Sequence, residues 1–330
     1  MSARRTFPAG ALRCVGIDEA GLGPILGPFC AAAVRYDRAP RAASLPPAWK
    51  RAFEGSSRAL LVADSKLVFR GPRGAARGEA AALAALCCGA PEGPLLGLDA
   101  AGALRRAGVE PAELAVGAPW YAEFASAIPR FSTQVELDAA RAELEAGAAS
   151  GGVRWVGASA RCVPERAFNA ALLRWQNKAD AAWEGVGGLV AEALGDPEPE
   201  RFEIRIDRQG GRRFYGERLE ALLPAWTLNE AREVGGRSEY RLRERASGRE
   251  ARVILEPRAE TASFAVALAS LLAKYLRELA MDSFNAWFAR LAPEVRPTAG
   301  YPEDGRRWIE EMSPALSLRK ISVETLVRQR

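Results

Sequence analysis

Residues 14–36 read CVGIDEAGLGPILGPFCAAAVRY, and this stretch decides the fold that the sequence predicts. Its first five residues, 14–18, form a mostly apolar run that ends in Asp18 and is followed by Glu19, which is typical of a short buried strand that ends in acids. The glycines and prolines of 20–28 predict a turn that is too broken for a helix. Residues 29–36 predict a second strand, so the chain is expected to open with a hairpin.

The rest of the chain contains segments with the alternation of strands and segments with the periodicity of helices. Strands are predicted at 153–158, at 201–207 and, as a hairpin around 246–248, within 240–255. Helices are predicted at 164–194 (one or two), at 260–287 and at 306–312, with weaker helical periodicity at 79–86 and 137–146. Strands followed by helices and further strands predict a sheet with helices packed against it.

Composition limits the class of protein. The chain has 330 residues, of which 48% are hydrophobic and 26% charged, which is typical of a globular protein. No apolar run reaches the roughly 18 residues that span a bilayer, and residues 1–16 contain no apolar core of a signal peptide. The five cysteines lack the spacing of a disulfide framework or a zinc site. We therefore expect buried free thiols and a cytoplasmic location.

The chain contains no histidine. This absence excludes Ser-His-Asp and Cys-His catalysis, HExxH zinc sites and imidazole acid–base chemistry. An enzyme built from this sequence would use carboxylates, lysines, hydroxyls, thiols or a bound metal. The net charge of +5 and the pI near 9.1 permit nucleic-acid binding without demonstrating it.

Acidic residues end two of the predicted strands. Asp18 and Glu19 follow the first strand, and Asp207 closes the strand at 201–207. Carboxylates that meet at a sheet edge repel one another, so a divalent cation between them would explain the arrangement. For each acid taken singly, a role in capping a turn or pairing with arginine is the more common alternative.

Five segments, in this order, resemble a known family. IDEAGLGPILGPFCAAAV (17–34) resembles the opening signature of ribonuclease HII, and VADSKL (62–67) resembles its Asp-Ser-Lys segment. RFEIRID (201–207) is similar to the strand with the third acid, and SLLAKYLRE (270–278) to the Ala-Ser-x-x-Ala-Lys helix. TAGYPEDGRR (298–307) is similar to the Gly-Tyr-Pro segment. The chain thus resembles the type 2 RNase H family.

The resemblance implies an α/β, RNase H-like fold, with a central mixed sheet flanked by helices and a helical C-terminal part. It implies a single catalytic domain over 1–330, with a family-atypical insertion at about 70–150. Asp18, Glu19, Asp207 and Glu260 would be the catalytic, metal-binding carboxylates. They would hold two Mg²⁺ or Mn²⁺ ions, one activating a water and the other stabilising the leaving 3′ oxygen during cleavage of the RNA strand of RNA–DNA hybrids. Most such proteins are monomers.

The resemblance also implies a set of nucleic-acid contacts. The backbone amides at Gly21 and Gly23 would approach the ribose, and Tyr301 would stack beneath it, so the site would sense the 2′-hydroxyl. Ser65 and Lys66 would hold phosphates. Leu22 stands where the family usually has Arg or Lys, which removes a phosphate-binding cation.

Two readings compete with an active nuclease. Leu22 and the long insertion favour a relative that binds hybrid or duplex nucleic acid without cleaving it. Glu260 also departs from the family, since an Asp is usual there, although the longer side chain still reaches a metal. The second competing reading is an unrelated protein whose motifs match by chance, which would require five coincidences in the correct order. The preference for long hybrids or single embedded ribonucleotides stays open.

Overall fold

A computed structural model describes residues 10–40, 45–88, 98–209, 212 and 214–329 of the chain. The predicted opening hairpin is present: β1 (Leu12–Ala20) pairs antiparallel with β2 (Phe29–Arg38), with Asp18 opposite Ala32. Both strands are almost entirely buried, because their apolar side chains face helices on the two sides of the sheet.

The described strands form one seven-stranded sheet. The remaining strands are β3 (Val153–Val163), β4 (Arg201–Asp207), β5 (Trp226–Val234), β6 (Arg237–Glu244) and β7 (Glu250–Glu256). Their order across the sheet is β3-β2-β1-β4-β7-β6-β5. β4 runs parallel to both β1 and β7, whereas the other neighbours are antiparallel, so the sheet is mixed.

Helices cover both faces of the sheet around β1. The described α-helices are α1 (Pro47–Phe53), α2 (Ser65–Val68), α3 (Gly74–Cys87), α4 (Ala100–Arg106), α5 (Pro111–Leu114), α6 (Gln134–Ser150), α7 (Glu165–Trp175), α8 (Lys178–Gly195), α9 (Gly216–Leu222), α10 (Phe264–Ala289), α11 (Pro302–Leu318) and α12 (Val323–Leu326). The predicted central mixed sheet, its flanking helices and the helical C-terminal part are confirmed. None of the described helices is both long and apolar enough to cross a membrane.

α10 crosses β1 at Gly16 in very close contact. A Cβ atom at Gly16 would lie 2.2 Å from the backbone of both Ala265 and Val266, so only glycine permits this approach. On the other face, α8 packs on a core that includes Val15 and Ile17. The close contact at Gly16 therefore fixes the position of α10 relative to the end of β1 that carries Asp18.

Several predicted boundaries change. The 164–194 region forms two helices, α7 and α8, separated by Gln176 in the left-handed conformation. The helix predicted at 260–287 begins at Phe264, because the Ser263 hydroxyl accepts a hydrogen bond from the Val266 N–H and caps the helix there. Strand β5 was not predicted, since its exposed polar residues lack the alternation of a half-buried strand. The residues of the 70–150 region that the structure describes are mostly helical.

Candidate metal-binding and nucleic-acid-binding site

Parallel pairing of β1 with β4 brings two of the predicted carboxylates together. Ile17 lies opposite Ile206 in this pairing, so Asp18 and Asp207 are the next residues along two adjacent strands. Their strands end at the same edge of the sheet, as parallel neighbours do. Asp18 is 6% exposed, and Asp207 is partly buried.

Asp207 fixes the position of the segment that carries Glu260. Its Oδ1 atom accepts a hydrogen bond of 2.9 Å from the backbone N–H of Ala259. Ala259–Thr261 form a single 3-10 turn after Arg258, which has a left-handed backbone with φ 57°. Glu260 thus lies in a separate turn that precedes α10, and this turn holds it beside Asp207.

Burial and neighbouring groups raise the pKa values of these three carboxylates. Burial and the charge of Asp207 raise the pKa of Asp18 to about 8, and a hydrogen bond from Ser270 opposes that rise. Burial also raises the pKa values of Asp207 and Glu260, and the charge of Asp207 raises that of Glu260 further. The charge of Asp207 thus disfavours the ionised forms of both Asp18 and Glu260, while a hydrogen bond with Glu260 opposes the rise in the pKa of Asp207.

Glu19 lies on the opposite face of the sheet. Successive strand residues point to opposite sides, so Glu19 turns away from α10. Burial and the charges of Asp18 and Asp207 raise its pKa, while the buried amide of Gln209 lowers it. The charge of Glu19 in turn raises the pKa of the buried Tyr215. Glu19 therefore interacts electrostatically with Asp18 and Asp207 without sharing their face.

The donor set fits a hard divalent cation in its chemistry. All four side chains offer carboxylate oxygens, the ligands that Mg²⁺ and Mn²⁺ prefer. Glu19 Oε2 and Glu260 Oε2 are buried and have no hydrogen-bond partner among the described residues. A cation beside these carboxylates would offset their negative charge. As the side chains stand, no group of three or more acidic or cysteine side chains in the described part of the chain could hold a metal ion.

The glycine-rich turn after β1 borders the acids and has the strained backbone that glycine allows. Gly21 has φ 92°, and a Cβ atom there would lie 2.7 Å from the Pro28 carbonyl oxygen. Gly23 is exposed, with nothing within 4 Å of an added Cβ. Leu22 is partly buried against the α8-side core, where it fills apolar space and offers no charge.

Tyr301 lies next to this turn. Gly300 has φ 80°, and its carbonyl oxygen accepts hydrogen bonds from the N–H groups of Ile25 (2.8 Å) and Leu26 (3.2 Å). Tyr301 itself is 54% exposed. The Arg277 guanidinium lies 5.9 Å from the centre of its ring. The stacking of the Tyr301 ring beneath a ribose stays a prediction.

The Asp-Ser-Lys segment reaches the site from the other side. Asp64 accepts a hydrogen bond of 2.8 Å from the Lys66 N–H and begins α2. Burial raises the pKa of Glu260; the charge of Asp64 adds to this rise, and that of Lys66 opposes it, so both lie near Glu260. The Lys66 side chain is exposed and Ser65 is half-buried. Their contact with phosphate stays a prediction.

Sequence reasoning missed three residues that shape the site. Ser270 acts on Asp18, the Gln209 amide acts on Glu19, and Arg277 donates hydrogen bonds of 3.1 Å to the carbonyl oxygens of Leu26 and Ala299. Ser270 and Arg277 lie within the SLLAKYLRE motif, which was the available signal. Nothing in the sequence around Gln209 indicates its burial.

Comparison with known proteins gives the following likenesses. Ribonuclease HII of Archaeoglobus fulgidus, solved in complex with PCNA, is 14% identical, with coverage of 96% of this chain and 94% of that chain and a TM-score of 0.41. Ribonuclease H2 of Pyrococcus horikoshii is 14% identical, with coverage of 96% and 92% and a TM-score of 0.38. Bst-RNase HIII in complex with Mn²⁺ is 16% identical, with coverage of 96% and 66% and a TM-score of 0.38.

No protein family model and no curated protein matches the chain. The solved structures named above are ribonucleases HII, H2 and HIII. Because the identities are only 14–16%, an assignment of function depends on the carboxylates and the glycine-rich turn of this chain.

Proposed function

We propose that this chain is a divergent type 2 ribonuclease H, an endonuclease that cleaves the RNA strand of RNA–DNA hybrids or at ribonucleotides embedded in DNA. The observation that carries the proposal is the meeting of Asp18, Asp207 and Glu260 at one sheet edge, with Glu19 adjacent. The charge of Asp207 raises the pKa values of Asp18 and Glu260, and two carboxylate oxygens of the group have no hydrogen-bond partner among the described residues, so a bound cation would stabilise these side chains.

Asp18, Glu19, Asp207 and Glu260 would hold the metal. When bound, divalent ions supply Lewis acidity toward a phosphodiester and neutralise its charge. The protein's own residues would position the substrate. Gly21 and Gly23 allow the backbone close to a ribose, and the exposed ring of Tyr301 offers a stacking face.

The test is cleavage of two labelled duplexes, one a full RNA–DNA hybrid and one with a single ribonucleotide, in Mg²⁺ and in Mn²⁺. We expect Asp18→Asn to lower the rate by at least about 100-fold, because it removes a central carboxylate. Asp138→Asn, on the exposed face of α6, is the matched control and should leave the rate unchanged.

Each outcome has one meaning. Cleavage that the Asp18→Asn variant loses and the Asp138→Asn variant retains supports the nuclease. Folded wild-type protein that cuts neither duplex in either metal overturns it. If that protein still binds both duplexes, the alternative reading as a nucleic-acid-binding relative is supported instead.

A further inference from the structure

Residues 327–329 are clamped beside the glycine-rich turn. The Asn169 side chain donates a hydrogen bond of 2.8 Å to the Val327 carbonyl oxygen and accepts one of 2.9 Å from the Gln329 N–H. The Arg328 N–H donates a hydrogen bond of 2.8 Å to the Ile25 carbonyl oxygen. Asn169 on α7 therefore fixes Arg328 from both sides and directs it at the turn.

The Arg328 side chain is buried inside the turn. Its Nη2 atom donates hydrogen bonds to the carbonyl oxygens of Gly21 and Pro24, the second at 2.6 Å. The guanidinium lies 5.1 Å from the centre of the Phe168 ring. Burial and the charge of Arg277 lower its pKa to about 10, so it stays charged at neutral pH. The Arg328 guanidinium thus binds the carbonyl groups of two residues, Gly21 and Pro24, that are three positions apart in the chain.

In this arrangement the carbonyl oxygens of the turn are already hydrogen-bonded, whereas some of its N–H groups are not. The carbonyl oxygens of Gly21, Pro24 and Ile25 are occupied by Arg328, and that of Leu26 by Arg277. By contrast, no described residue accepts a hydrogen bond from the N–H of Leu22 or Gly23. The turn accordingly offers donors, and a ligand held there must present accepting oxygens, as a ribose hydroxyl or a phosphate does.

We propose that Arg328 is a positioning residue that sets the preference of the glycine-rich turn for ribose over deoxyribose. The inference rests on the proposed function and names a residue on which its selectivity depends. Without the guanidinium, the carbonyls of Gly21 and Pro24 are released, and the free N–H groups of Leu22 and Gly23 lose their fixed direction. Arg328 itself is 1% exposed and does not touch the substrate.

The test compares binding of two labelled duplexes that differ only in one ribonucleotide, measured in EDTA so that no metal-dependent cleavage intervenes. We expect wild-type protein to bind the ribonucleotide duplex more tightly. Arg328→Gln should reduce this preference about tenfold while leaving the dissociation constant for the all-DNA duplex within about twofold. Arg319→Gln, which removes an exposed arginine close by in the chain, is the matched control and should change neither value.

Two further variants keep the inference testable if Arg328→Gln does not fold. Arg328→Lys retains the charge, but it lacks the planar guanidinium that lies over the Phe168 ring and its side chain is shorter, so it should lose part of the preference. Asn169→Ala leaves Arg328 intact and removes its clamp, and it should also lose preference selectively. A folded Arg328 or Asn169 variant with unchanged preference overturns the inference, as does a wild-type protein that binds both duplexes equally. Failure of wild-type cleavage with metal would instead overturn the proposed function.

Discussion

Asp207 and Ala259 are joined by a hydrogen bond of 2.9 Å from the Ala259 N–H to the Asp207 Oδ1 atom. Through this bond, the acid that ends β4 holds the turn that carries the next acid, Glu260. One oxygen of Asp207 is thereby committed to the protein, and the position of Glu260 depends on it. The carboxylates are therefore coupled through the backbone as well as through their charges.

The raised pKa of Asp18 predicts an unusual pH dependence for the metal-free protein. Asp18 has an ordinary pKa of 3.8 and a pKa of about 8 in the folded chain, so the folded state binds the extra proton between these values. The free energy of unfolding should therefore fall as the pH rises from 3.8 to about 8, and this group should cause no further loss above that. Unfolding by urea in EDTA across this range checks the slope.

Asp18→Asn should make the metal-free protein more stable at pH 8, because it removes a buried charge that repels Asp207. We expect a gain of about 1–2 kcal/mol, with a flatter pH profile. Asp138→Asn should produce neither effect. An Asp18→Asn variant that is less stable than wild type at pH 8 would contradict this prediction.

Divalent cations should stabilise the folded protein in a way that depends on the same carboxylates. At a metal concentration about 100 times the dissociation constant, mass action adds about 2.7 kcal/mol to the free energy of unfolding. Thermal unfolding with Mg²⁺, with Mn²⁺ and with sodium salt of equal ionic strength separates binding from charge screening. Wild-type protein with no metal-specific shift would count against a metal site, and Asp18→Asn should lose most of the shift.

The two glycines of the turn should respond differently to alanine. At Gly21, the left-handed backbone and the contact of 2.7 Å between an added Cβ and the Pro28 carbonyl oxygen predict a loss of about 1–3 kcal/mol in stability. At Gly23 an added Cβ meets nothing within 4 Å, so the stability of Gly23→Ala should stay close to that of wild type. Chemical denaturation measures both, and equal losses would refute the distinction.

Tyr301 should contribute to substrate affinity and little to stability. Its ring is 54% exposed, and stacking of such a ring against a nucleotide is worth about 1–3 kcal/mol. Tyr301→Ala should therefore raise KM about tenfold with an unchanged melting temperature, and Tyr301→Phe should restore it, since the stacking face remains. A KM that rises equally in both variants would indicate a role for the hydroxyl instead.

Glu79 should be the main link between the 70–150 region and α10. Its carboxylate accepts hydrogen bonds of 2.7 Å from the N–H groups of Arg130, Phe131 and Ser132, and one of 3.0 Å from the Tyr275 hydroxyl on α10. Glu79→Ala leaves these donors without their acceptor and should cost about 3 kcal/mol or more. Glu113→Ala, at an exposed position of α5, is the control, and equal stability of the two variants would disprove the link.

Much of the fold could be predicted, because its central strands are marked by local signals. The apolar run before Asp18, the broken turn at 20–28 and the alternation of β4 each depend on a few adjacent residues. The start of α10 was placed four residues early, since periodicity alone does not reveal that the Ser263 hydroxyl caps the helix. β5 was missed, because most of its residues are exposed and its pairing with β6 supplies the order.

The candidate site could be predicted only in part, for a related reason. Asp18, Asp207 and Glu260 were predicted from the resemblance, and their strand ends and the turn after β7 lie side by side in the structure. Gln209 and Arg328 act through contacts with residues far away in the chain, so no local pattern marks them. The separation of Glu19 onto the opposite face follows from strand alternation, yet the motif treats it as one unit with Asp18.

The parallel pairing of β1 with β4 also sets the time at which the carboxylates can assemble during synthesis. The chain is made from its N-terminus, so Asp18 is present early, whereas Asp207 and Glu260 emerge only after β2, β3 and the helices that lie between β1 and β4 in the sequence. Parallel strands need such a crossover and pair late. A ribosome-bound chain that has not yet released β4 therefore lacks the full carboxylate set, even when its opening hairpin has formed.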